Sequence, residues 1–359
     1  MREVWGRNDE LLQILKTVAP GTELREGLEN ILKARTGALI VIGDTENVMN
    51  LADGGFKINE EYSPARIYEL AKMDGAIVLS KDAKRILLAN TQLIPDSKIP
   101  TVETGTRHRS AERIAKQTGE LVISISQRRN LITVFKGDIR YIIKDSSQVL
   151  ARANQALQTV ERYKTSFDEV MLALNEYEFE DIVTLEHVVK AVQRAELMLR
   201  VVSEVKGYIV ELGDEGRLIE LQLRELAGNV ETEEALIIKD YSASKDKEET
   251  LLNTISELTH EELVDSSTIA KLLGYTIETT IEDVEVYTRG YRLLSRIPKM
   301  PMNIIDNMVK TIGAFQDIVR ASIEELDDVE GIGEVRAKNI KQGIKRMQEQ
   351  ALYDSRYYR

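Results

Sequence analysis

Residues 104–125 read TGTRHRSAERIAKQTGELVISI, a helix-forming stretch followed directly by an apolar run. The pattern predicts a helix over Arg107–Thr118 that ends at Gly119, because glycine readily adopts the left-handed conformation found at helix C-termini. The run Leu121–Ile125 has the length of a buried strand. A helix joined to a strand by one tight turn indicates a domain of mixed α/β class.

The first 145 residues repeat this alternation of helices and strands. Ser63 and Pro64 open a helix as N-cap and first helical residue, and an earlier helical stripe stops at Gly37. Apolar runs of strand length occur at Ala38–Ile42, Ala76–Leu79, Ile86–Ala89, Leu121–Ile125, Leu131–Phe135 and Tyr141–Ile143. We therefore predict an N-terminal α/β domain with a mixed central sheet over residues 1–145.

The rest of the sequence has a helical pattern. Apolar residues recur at three- or four-residue steps or their multiples, beginning with Leu157, Val160, Phe167, Met171 and Leu174. This pattern predicts an all-helical spine over residues 146–288, with its Met and Leu stripe in a core or an oligomer seam. Residues 289–359 are again helical but more interrupted, which predicts a separate, compact C-terminal domain.

Composition limits the possible functions. The chain has 359 residues and a net charge of −12 at pH 7, so we do not expect it to bind nucleic acid through its overall charge. Cysteine is absent, which excludes disulfides, thiolate metal sites and cysteine nucleophiles. No run of roughly 18 apolar residues is present, and the N-terminus, MREVWGRNDELLQ, is too polar for a secretory signal peptide. We expect a cytoplasmic protein without a membrane partner.

The C-terminal segment carries a local positive charge. From Gly331 onward there are seven Lys or Arg and three Asp or Glu, a balance of +4. VEGIG at residues 329–333 resembles the hairpin of the helix-hairpin-helix DNA-binding motif, because Gly331 and Gly333 let the backbone approach a phosphate. We expect phosphate contacts without base readout from Lys338, Lys341, Lys345 and Arg346. The alternative is a tight helix-helix turn with a solvated basic face.

Asp74, Gly75 and Ala76 stand between a predicted helix end and the strand Ala76–Leu79. An aspartate held at a strand end suits a divalent cation or a substrate hydroxyl, and the neighbouring glycine admits a close ligand. The alternative for an isolated Asp-Gly pair is an ordinary turn.

About thirty residues later, TGTRHRS at residues 104–110 places hydroxyls, a flexible glycine and unpaired helix amides beside three cationic groups. This helix start is a candidate phosphate cradle, in which Arg107 and Arg109 donate to phosphate oxygens and His108 donates or relays a proton. The alternative is a surface ion-pair cluster with Glu103 and Glu112.

The DGA motif followed by TGTRHRSAER at this separation resembles the diadenylate cyclase (DAC) domain family. With the helical spine and the helix-hairpin-helix end, the whole chain resembles the DNA-regulated members of that family. The resemblance implies that two ATP molecules condense to cyclic di-AMP and two pyrophosphates, with each 3′-hydroxyl attacking the α-phosphorus of the other nucleotide. It also implies a bacterial, nucleoid-associated protein that binds branched, Holliday-junction-like DNA without sequence preference.

The resemblance also implies roles for individual residues. Asp74 would bind the catalytic Mg²⁺ or Mn²⁺ and help to activate the 3′-hydroxyl, and Leu93 would contact adenine. The catalytic group would be Asp74, Arg107, His108 and Arg109. The remaining nucleotide contacts would be Gly75, Ala76, Thr104, Gly105, Thr106, Ser110, Ser126, Gln127 and Arg128. Ser110 departs from the threonine common in the family, but either hydroxyl can reach a phosphate.

The implied product is two-fold symmetric, so two DAC domains must face each other with one ATP in each. An oligomer is therefore part of the mechanism, and the resemblance implies an octamer. Two other functions remain open: a structural DNA-binding or repair protein whose N-terminal domain binds a nucleotide without cyclising it, and another nucleotidyltransferase or ATPase. The last has less support, because no GxxxxGK[ST] phosphate loop is present.

Overall fold

The computed structural model describes residues 9–243, 248–276 and 280–357, with side chains up to residue 353. The chain divides into two compact units, of which residues 1–155 and 204–221 form the first. Residues 156–203 and 222–359 form the second. The first unit contains the predicted α/β domain. In the described part of the second unit, the β structure is a single bridge between Thr184 and Glu285.

One eight-stranded sheet forms the centre of the first unit. Its strands are β1 (Ala38–Ile42), β2 (Ala52–Asp53), β3 (Phe56–Glu61), β4 (Ala76–Leu79), β5 (Arg85–Leu93), β6 (Leu121–Ser126), β7 (Leu131–Lys136) and β8 (Ile139–Ile143). They lie in the order β2-β5-β4-β1-β6-β7-β8, and β3 also pairs with β5. β1 and β4 are parallel and the other described pairs are antiparallel, so the prediction of a mixed sheet is confirmed.

Helices cover both faces of this sheet. They are α1 (Asp9–Thr17), α2 (Glu23–Lys33), α3 (Glu46–Met49), α4 (Pro64–Leu70) and α5 (Thr106–Thr118). Successive residues of a strand point to opposite sides. Ile40 of β1 therefore joins a buried cluster with Leu28 of α2 and Ile67 of α4, whereas Val41 joins one with Ile114 of α5. Burial of each such side chain contributes about 1.5–3 kcal/mol, which fixes α5 against its face of the sheet.

The predicted helix-turn-strand unit is present. α5 ends at Gly119, whose φ of +74° is the left-handed conformation expected there. Ser63 caps α4 as predicted, since its Oγ accepts a hydrogen bond from the Arg66 amide at 3.2 Å. Strands β2 and β3 were not predicted from the sequence. The segment FKINEE of β3 is largely exposed and polar, so it lacks the apolar pattern by which buried strands are recognised.

The rest of the described chain is helical. Its helices are α6 (Ser146–Glu180), α7 (Leu185–Leu212), α8 (Arg217–Ala227), α9 (Val230–Tyr241), α10 (Glu248–Glu257), α11 (His260–Val264), α12 (Ser266–Leu272), α13 (Tyr291–Ser295), α14 (Met302–Thr311), α15 (Phe315–Arg320), α16 (Ile323–Asp327) and α17 (Glu334–Tyr357), with a 3₁₀ turn at Gly213–Gly216. None of the helices in the described ranges is both long and apolar enough to span a membrane.

Arg292 of α13 attaches the C-terminal helices to the linker helices of the second unit. Its side chain is fully buried, and it donates to Asn175 at 2.8 Å and to the carboxylate of Glu178, both on α6. Its backbone amide donates to Asp240 of α9 at 3.0 Å. Because a buried charge is costly unless it is paired, these contacts fix the start of the C-terminal helices against α6 and α9.

Candidate active site and nucleic-acid interface

Four strands meet at one edge of the sheet. In the parallel pair β1 and β4, Leu39 lies opposite Ala76. The neighbours β6 and β5 run the other way, with Ile125 opposite Ala38 and Thr91 opposite Ala76. The starts of β1 and β4 therefore lie beside the ends of β5 and β6. We call this the site edge, because the DGA motif, Leu93 and Ser126 all fall on it.

Asp74 lies at the site edge, directly before β4. Gly75, which follows it, has a φ of +91°, and a Cβ at this position would lie 2.9 Å from the backbone of Asn90 and Thr91 in β5. A glycine is therefore required by both the conformation and the close approach of β5. Ala76 is buried, whereas Asp74 is exposed and makes no hydrogen bond or ion pair within the described residues. The pair thus presents a free carboxylate on a rigid strand end.

The loop of residues 94–105 delivers the TGT segment to the same edge by lying along α5. Four side chains of α5 bond to its backbone, and one of them is Lys116, whose Nζ donates to the Pro100 carbonyl at 3.3 Å. Gln117 accepts from a loop amide at 2.9 Å, Arg113 donates to a loop carbonyl at 2.9 Å, and Glu112 accepts from a second amide at 3.2 Å. The loop is therefore held in place before any ligand binds.

The two carboxylates near the RHR segment have other cationic partners. Glu103 is buried and accepts from Nε of Arg140 in β8 at 2.5 Å. Glu112 is buried and lies 2.8 Å from Nζ of Lys116. Neither carboxylate pairs with the arginines of the RHR segment, so the structure does not contain the surface ion-pair cluster that was the alternative interpretation.

The start of α5 has open backbone donors and two unpaired arginines among the described residues. Gly105 is the N-cap and its position lacks a side-chain cap, so the first amides of α5 are free to bind an anion. The guanidinium of Arg107 packs on Gly37, where an added Cβ would lie 2.0 Å from Nη1. Gly37 directly precedes β1, so Arg107 reaches the site edge. Arg109 is exposed beside it.

His108 points the other way, into the interior. It is 8% exposed, its Nδ1 lies 3.2 Å from Ser124 Oγ, and its Nε2 lies 3.4 Å from Thr133 Oγ1. Burial lowers the pKa of His108, an effect that the nearby carboxylate of Glu103 partly offsets and the surrounding arginines reinforce. The ring therefore holds α5 against β6 and β7. The predicted direct contact between His108 and a phosphate has no support in this arrangement.

The remaining predicted residues divide by exposure. Leu93 closes β5 and is buried at the site edge, in the cluster that includes Ala76. Gln127 and Arg128 are exposed in the turn that follows β6, and Ser110 is half-buried on the second turn of α5. The residues predicted to surround a nucleotide thus come from β4, β5, α5 and the β6–β7 turn.

Three residues of this region were not predicted from the sequence. Gly37 receives the Arg107 guanidinium, Arg140 pairs with Glu103, and Arg129 donates from Nη2 to Thr104 Oγ1 at 3.4 Å. Arg129 could have been included, because it continues the SQRRN run at the end of the predicted strand. Nothing in the local sequence indicates the tertiary contact of Arg140.

Asp74 provides one carboxylate as a metal ligand, and a bound nucleotide and water would supply the others. Within the described residues, no group of three or more His, Asp or Glu side chains could hold a metal ion. Magnesium is commonly bound by one or two carboxylates together with phosphate oxygens of a substrate and waters. The free carboxylate of Asp74 at the site edge therefore fits Mg²⁺ or Mn²⁺ brought by a nucleotide.

The C-terminal hairpin lies between α16 and α17. Gly331 has a φ of +85°, and a Cβ there would lie 2.5 Å from Ile304 Cδ1, so the turn requires glycine. Gly333 directly precedes the free amides at the start of α17. The glycines predicted from VEGIG therefore form an exposed turn beside a helix N-terminus.

The basic residues of α17 differ in their surroundings. Lys338 is exposed and pairs with Glu334 of the same helix, and Lys345 and Arg346 are exposed. Lys341 is half-buried, and its Nζ donates to the Val319 carbonyl at 2.7 Å. Lys341 thus ties α17 to the end of α15, which competes with the phosphate contact predicted for it.

Three protein-family models match successive parts of the chain. The family described as DisA bacterial checkpoint controller nucleotide-binding matches residues 25–139. The family described as DisA bacterial checkpoint controller linker region matches residues 143–282, and the helix-hairpin-helix motif matches residues 314–342. The three matches follow one another in the order of the predicted domains.

Curated relatives match almost the whole chain. The DNA integrity scanning protein DisA of Clostridium botulinum (strain Loch Maree / Type A3) is 55% identical over 348 residues, which is 97% of this chain and 98% of the relative. That of Acetivibrio thermocellus is 55% identical over 351 residues, 98% of each chain. Among solved structures, a double mutant of DacA from Staphylococcus aureus is 20% identical over 38% of this chain and 91% of its own, with a TM-score of 0.30.

We predict that His108 makes stability depend on pH. Because folding lowers the pKa of His108, the folded state binds fewer protons than the unfolded state, so the contribution of this ring is present above its unfolded pKa and is lost as pH falls. The melting temperature of the His108→Gln variant should therefore fall less than that of the wild type between about pH 8 and about pH 5.5.

The matched control is His260→Gln, which replaces a solvent-exposed histidine and should leave the wild-type pH response unchanged. Equal losses of melting temperature in the wild type and in His108→Gln would contradict the structural role of this ring.

Proposed function

The chain belongs to the DNA integrity scanning protein DisA family, and we propose that Asp74 and the start of α5 form its reaction centre. The protein is a diadenylate cyclase with a helix-hairpin-helix DNA-binding motif. The observation that carries the proposal is the site edge. This edge holds the free carboxylate that precedes β4, the unpaired arginines and the open amides of α5, although these groups are distant in the sequence.

The reaction joins two ATP molecules into cyclic di-AMP. Each 3′-hydroxyl oxygen bonds to the α-phosphorus of the other nucleotide, the bond from that phosphorus to pyrophosphate breaks, and the hydroxyl proton leaves. Transfers of this kind depend mainly on positioning and on neutralising phosphate charge. Arg107 and Arg109 supply that charge, and the amides of the Thr104–Thr106 segment orient the triphosphate.

Asp74, just before β4, accepts or directs the proton of the attacking 3′-hydroxyl, and it would hold the metal ion. When bound, Mg²⁺ or Mn²⁺ would neutralise phosphate oxygens and make the hydroxyl more acidic. Gly75 gives the nucleotide access to this carboxylate. His108 acts as a positioning residue, because its ring holds the start of α5 against β6 and β7.

The other proposed contacts surround the rest of the nucleotide. Leu93 and Ala76 form the apolar wall for adenine at the site edge, and Ser110 lies on the second turn of α5 below the phosphates. The hydroxyl, amide and guanidinium groups of the β6–β7 turn complete the set, from Ser126, Gln127 and Arg128.

We also propose how the chain is organised and assembled. The chain consists of three domains: a DAC domain over residues 1–145, a linker over 146–288 and a DNA-binding domain over 289–359. One DAC domain holds one ATP, so two must face each other for the reaction, and an octamer with paired DAC domains meets this need.

For DNA we propose sequence-independent binding of branched, Holliday-junction-like structures, in association with the nucleoid. The exposed turn at Gly331 and Gly333 gives backbone access to a phosphate, and the exposed Lys338, Lys345 and Arg346 provide charge. In this scheme DNA binding alters the output of cyclic di-AMP.

Asp74→Asn should lower the rate of cyclic di-AMP formation about 100-fold or more, because it removes the carboxylate that faces the hydroxyl and the metal ion. ATP binding should largely remain, since the triphosphate contacts lie on α5. The measurement is chromatography of products from ATP with Mg²⁺ or Mn²⁺, together with equilibrium binding of ATP.

The matched control is Asp138→Asn in the β7–β8 turn, at the opposite edge of the sheet, which should retain the wild-type rate. Formation of cyclic di-AMP by Asp74→Asn at the wild-type rate would refute the proposed centre. A wild type that binds ATP and yields no cyclic product would contradict the cyclase activity itself.

The double variant Lys338→Glu and Lys345→Glu should weaken the binding of all DNA sequences alike. It should also reduce the slope of log affinity against log salt by about 2, because each lost phosphate contact removes about 0.9 of slope. The measurement is fluorescence anisotropy with branched and linear duplexes over a range of salt. Lys190→Glu in α7 is the control, and an unchanged slope in the double variant would exclude this helix from the interface.

A further inference from the structure

Strand β8 is the outermost strand on one side of the sheet, and β7 is its neighbour. Its adjacent residues Arg140 and Tyr141 point to opposite faces, as successive strand residues do. Each makes a polar contact with a buried carboxylate, and neither belongs to the proposed nucleotide contacts. The two carboxylates lie on very different elements, one in the loop before α5 and one on linker helix α7.

On one face, Arg140 contacts the nucleotide site. Its Nε donates to Glu103 at 2.5 Å, and Glu103 is only 8% exposed. Glu103 directly precedes Thr104, the first residue of the phosphate-binding segment. The other contacts of this loop described above come mainly from α5 itself. The Glu103–Arg140 pair therefore fixes the loop relative to the last strand of the sheet.

On the other face, Tyr141 contacts the linker. Its Oη donates to Oε1 of Glu211 at 2.7 Å, and the Glu211 side chain is buried near the end of α7. Lys144, just after β8, lies 3.9 Å from the second carboxylate oxygen. Burial first, and then the charge of Glu211, raise the pKa of Tyr141 well above its ordinary value, so the phenol keeps the proton that it donates.

We propose that β8 connects the end of linker helix α7 to the phosphate-binding loop, with Tyr141 and Arg140 as positioning residues for cyclisation. A shift of Glu211 moves Tyr141, and Arg140 must follow because one peptide unit separates the two residues. Glu103 and Thr104 then change position relative to Asp74. The proposal deepens the proposed function and rests on it, because it concerns the geometry of that same reaction.

The physical setting favours such transmission. An edge strand is held by one neighbour, and β8 alternates half-buried and exposed residues before the buried Ile143. It can therefore shift at lower cost than the fully buried strands β1 and β4 at the centre. A displacement of about 1 Å in a group that positions a substrate can cost about 100-fold in rate. A small movement of β8 is thus sufficient to change the reaction.

The test is a double-mutant cycle on the full chain with Glu103→Gln and Tyr141→Phe. Glu103→Gln should lower kcat about 10-fold or more with a smaller change in the KM for ATP. Tyr141→Phe should lower kcat about 3-fold or more. Because Tyr141 acts through the Glu103–Arg140 pair, the double variant should be no slower than Glu103→Gln alone. Arg140→Lys, which keeps the charge, should recover part of the activity that Arg140→Gln loses.

Tyr62→Phe is the control, because it removes another buried phenol contact, to the Glu23 carbonyl at 3.2 Å, in the same unit and away from β8. Its kcat should equal that of the wild type. Should Glu103→Gln fail to fold, Arg140→Gln breaks the same pair from its more exposed side and takes its place in the cycle.

The outcomes separate the two levels of the proposal. A wild type that forms no cyclic di-AMP refutes the proposed function itself. An active wild type with multiplicative effects of the two substitutions, or with unchanged kcat in Tyr141→Phe, overturns the role of β8 while leaving the function intact.

Discussion

The parallel pairing of β1 with β4 inside an otherwise antiparallel sheet is the constraint on which the site depends. It places the starts of β1 and β4, which follow Gly37 and Asp74, at the same edge, and the reversed directions of β5 and β6 add Leu93 and Ser126 there. Strand β6 runs back along helix α5 after the tight turn at Gly119. The N-terminus of α5 must therefore lie at the same edge of the sheet as the end of β6. Chain direction alone thus brings a carboxylate to the same edge of the sheet as open amides and arginines.

Buried polar contacts then fix the positions of the groups that stay exposed. His108, Glu103 and Glu112 lie inside, where each has hydrogen-bond partners, and Arg109 and Asp74 remain free on the surface. An unpaired buried polar group costs free energy, so these internal contacts give the loop and the start of α5 one conformation. A site held in this way binds phosphate without first having to order itself, which is the requirement for charge-neutralising catalysis.

Much of this could be predicted from the sequence. The α5 unit was recognisable from its N-terminal Thr-Gly-Thr and from Gly119, and the all-helical remainder from its apolar spacing. The burial of His108 was missed, although Ala111 and Ala115 follow it at three and seven residues and place it on the apolar face of the helix. The contacts of Lys341 with Val319 and of Arg140 with Glu103 join residues far apart in the chain, so no local pattern could indicate them.

The central claim is that residues from β4, α5 and the β6–β7 turn form one nucleotide site. Amide hydrogen exchange with and without 3′-deoxy-ATP tests it directly, because this nucleotide lacks the attacking hydroxyl and remains bound without reacting. Slower exchange should be concentrated in residues 74–76, 104–110 and 126–128 in the presence of Mg²⁺. Unchanged exchange in these segments, in a protein that still converts ATP to cyclic di-AMP, would contradict the account.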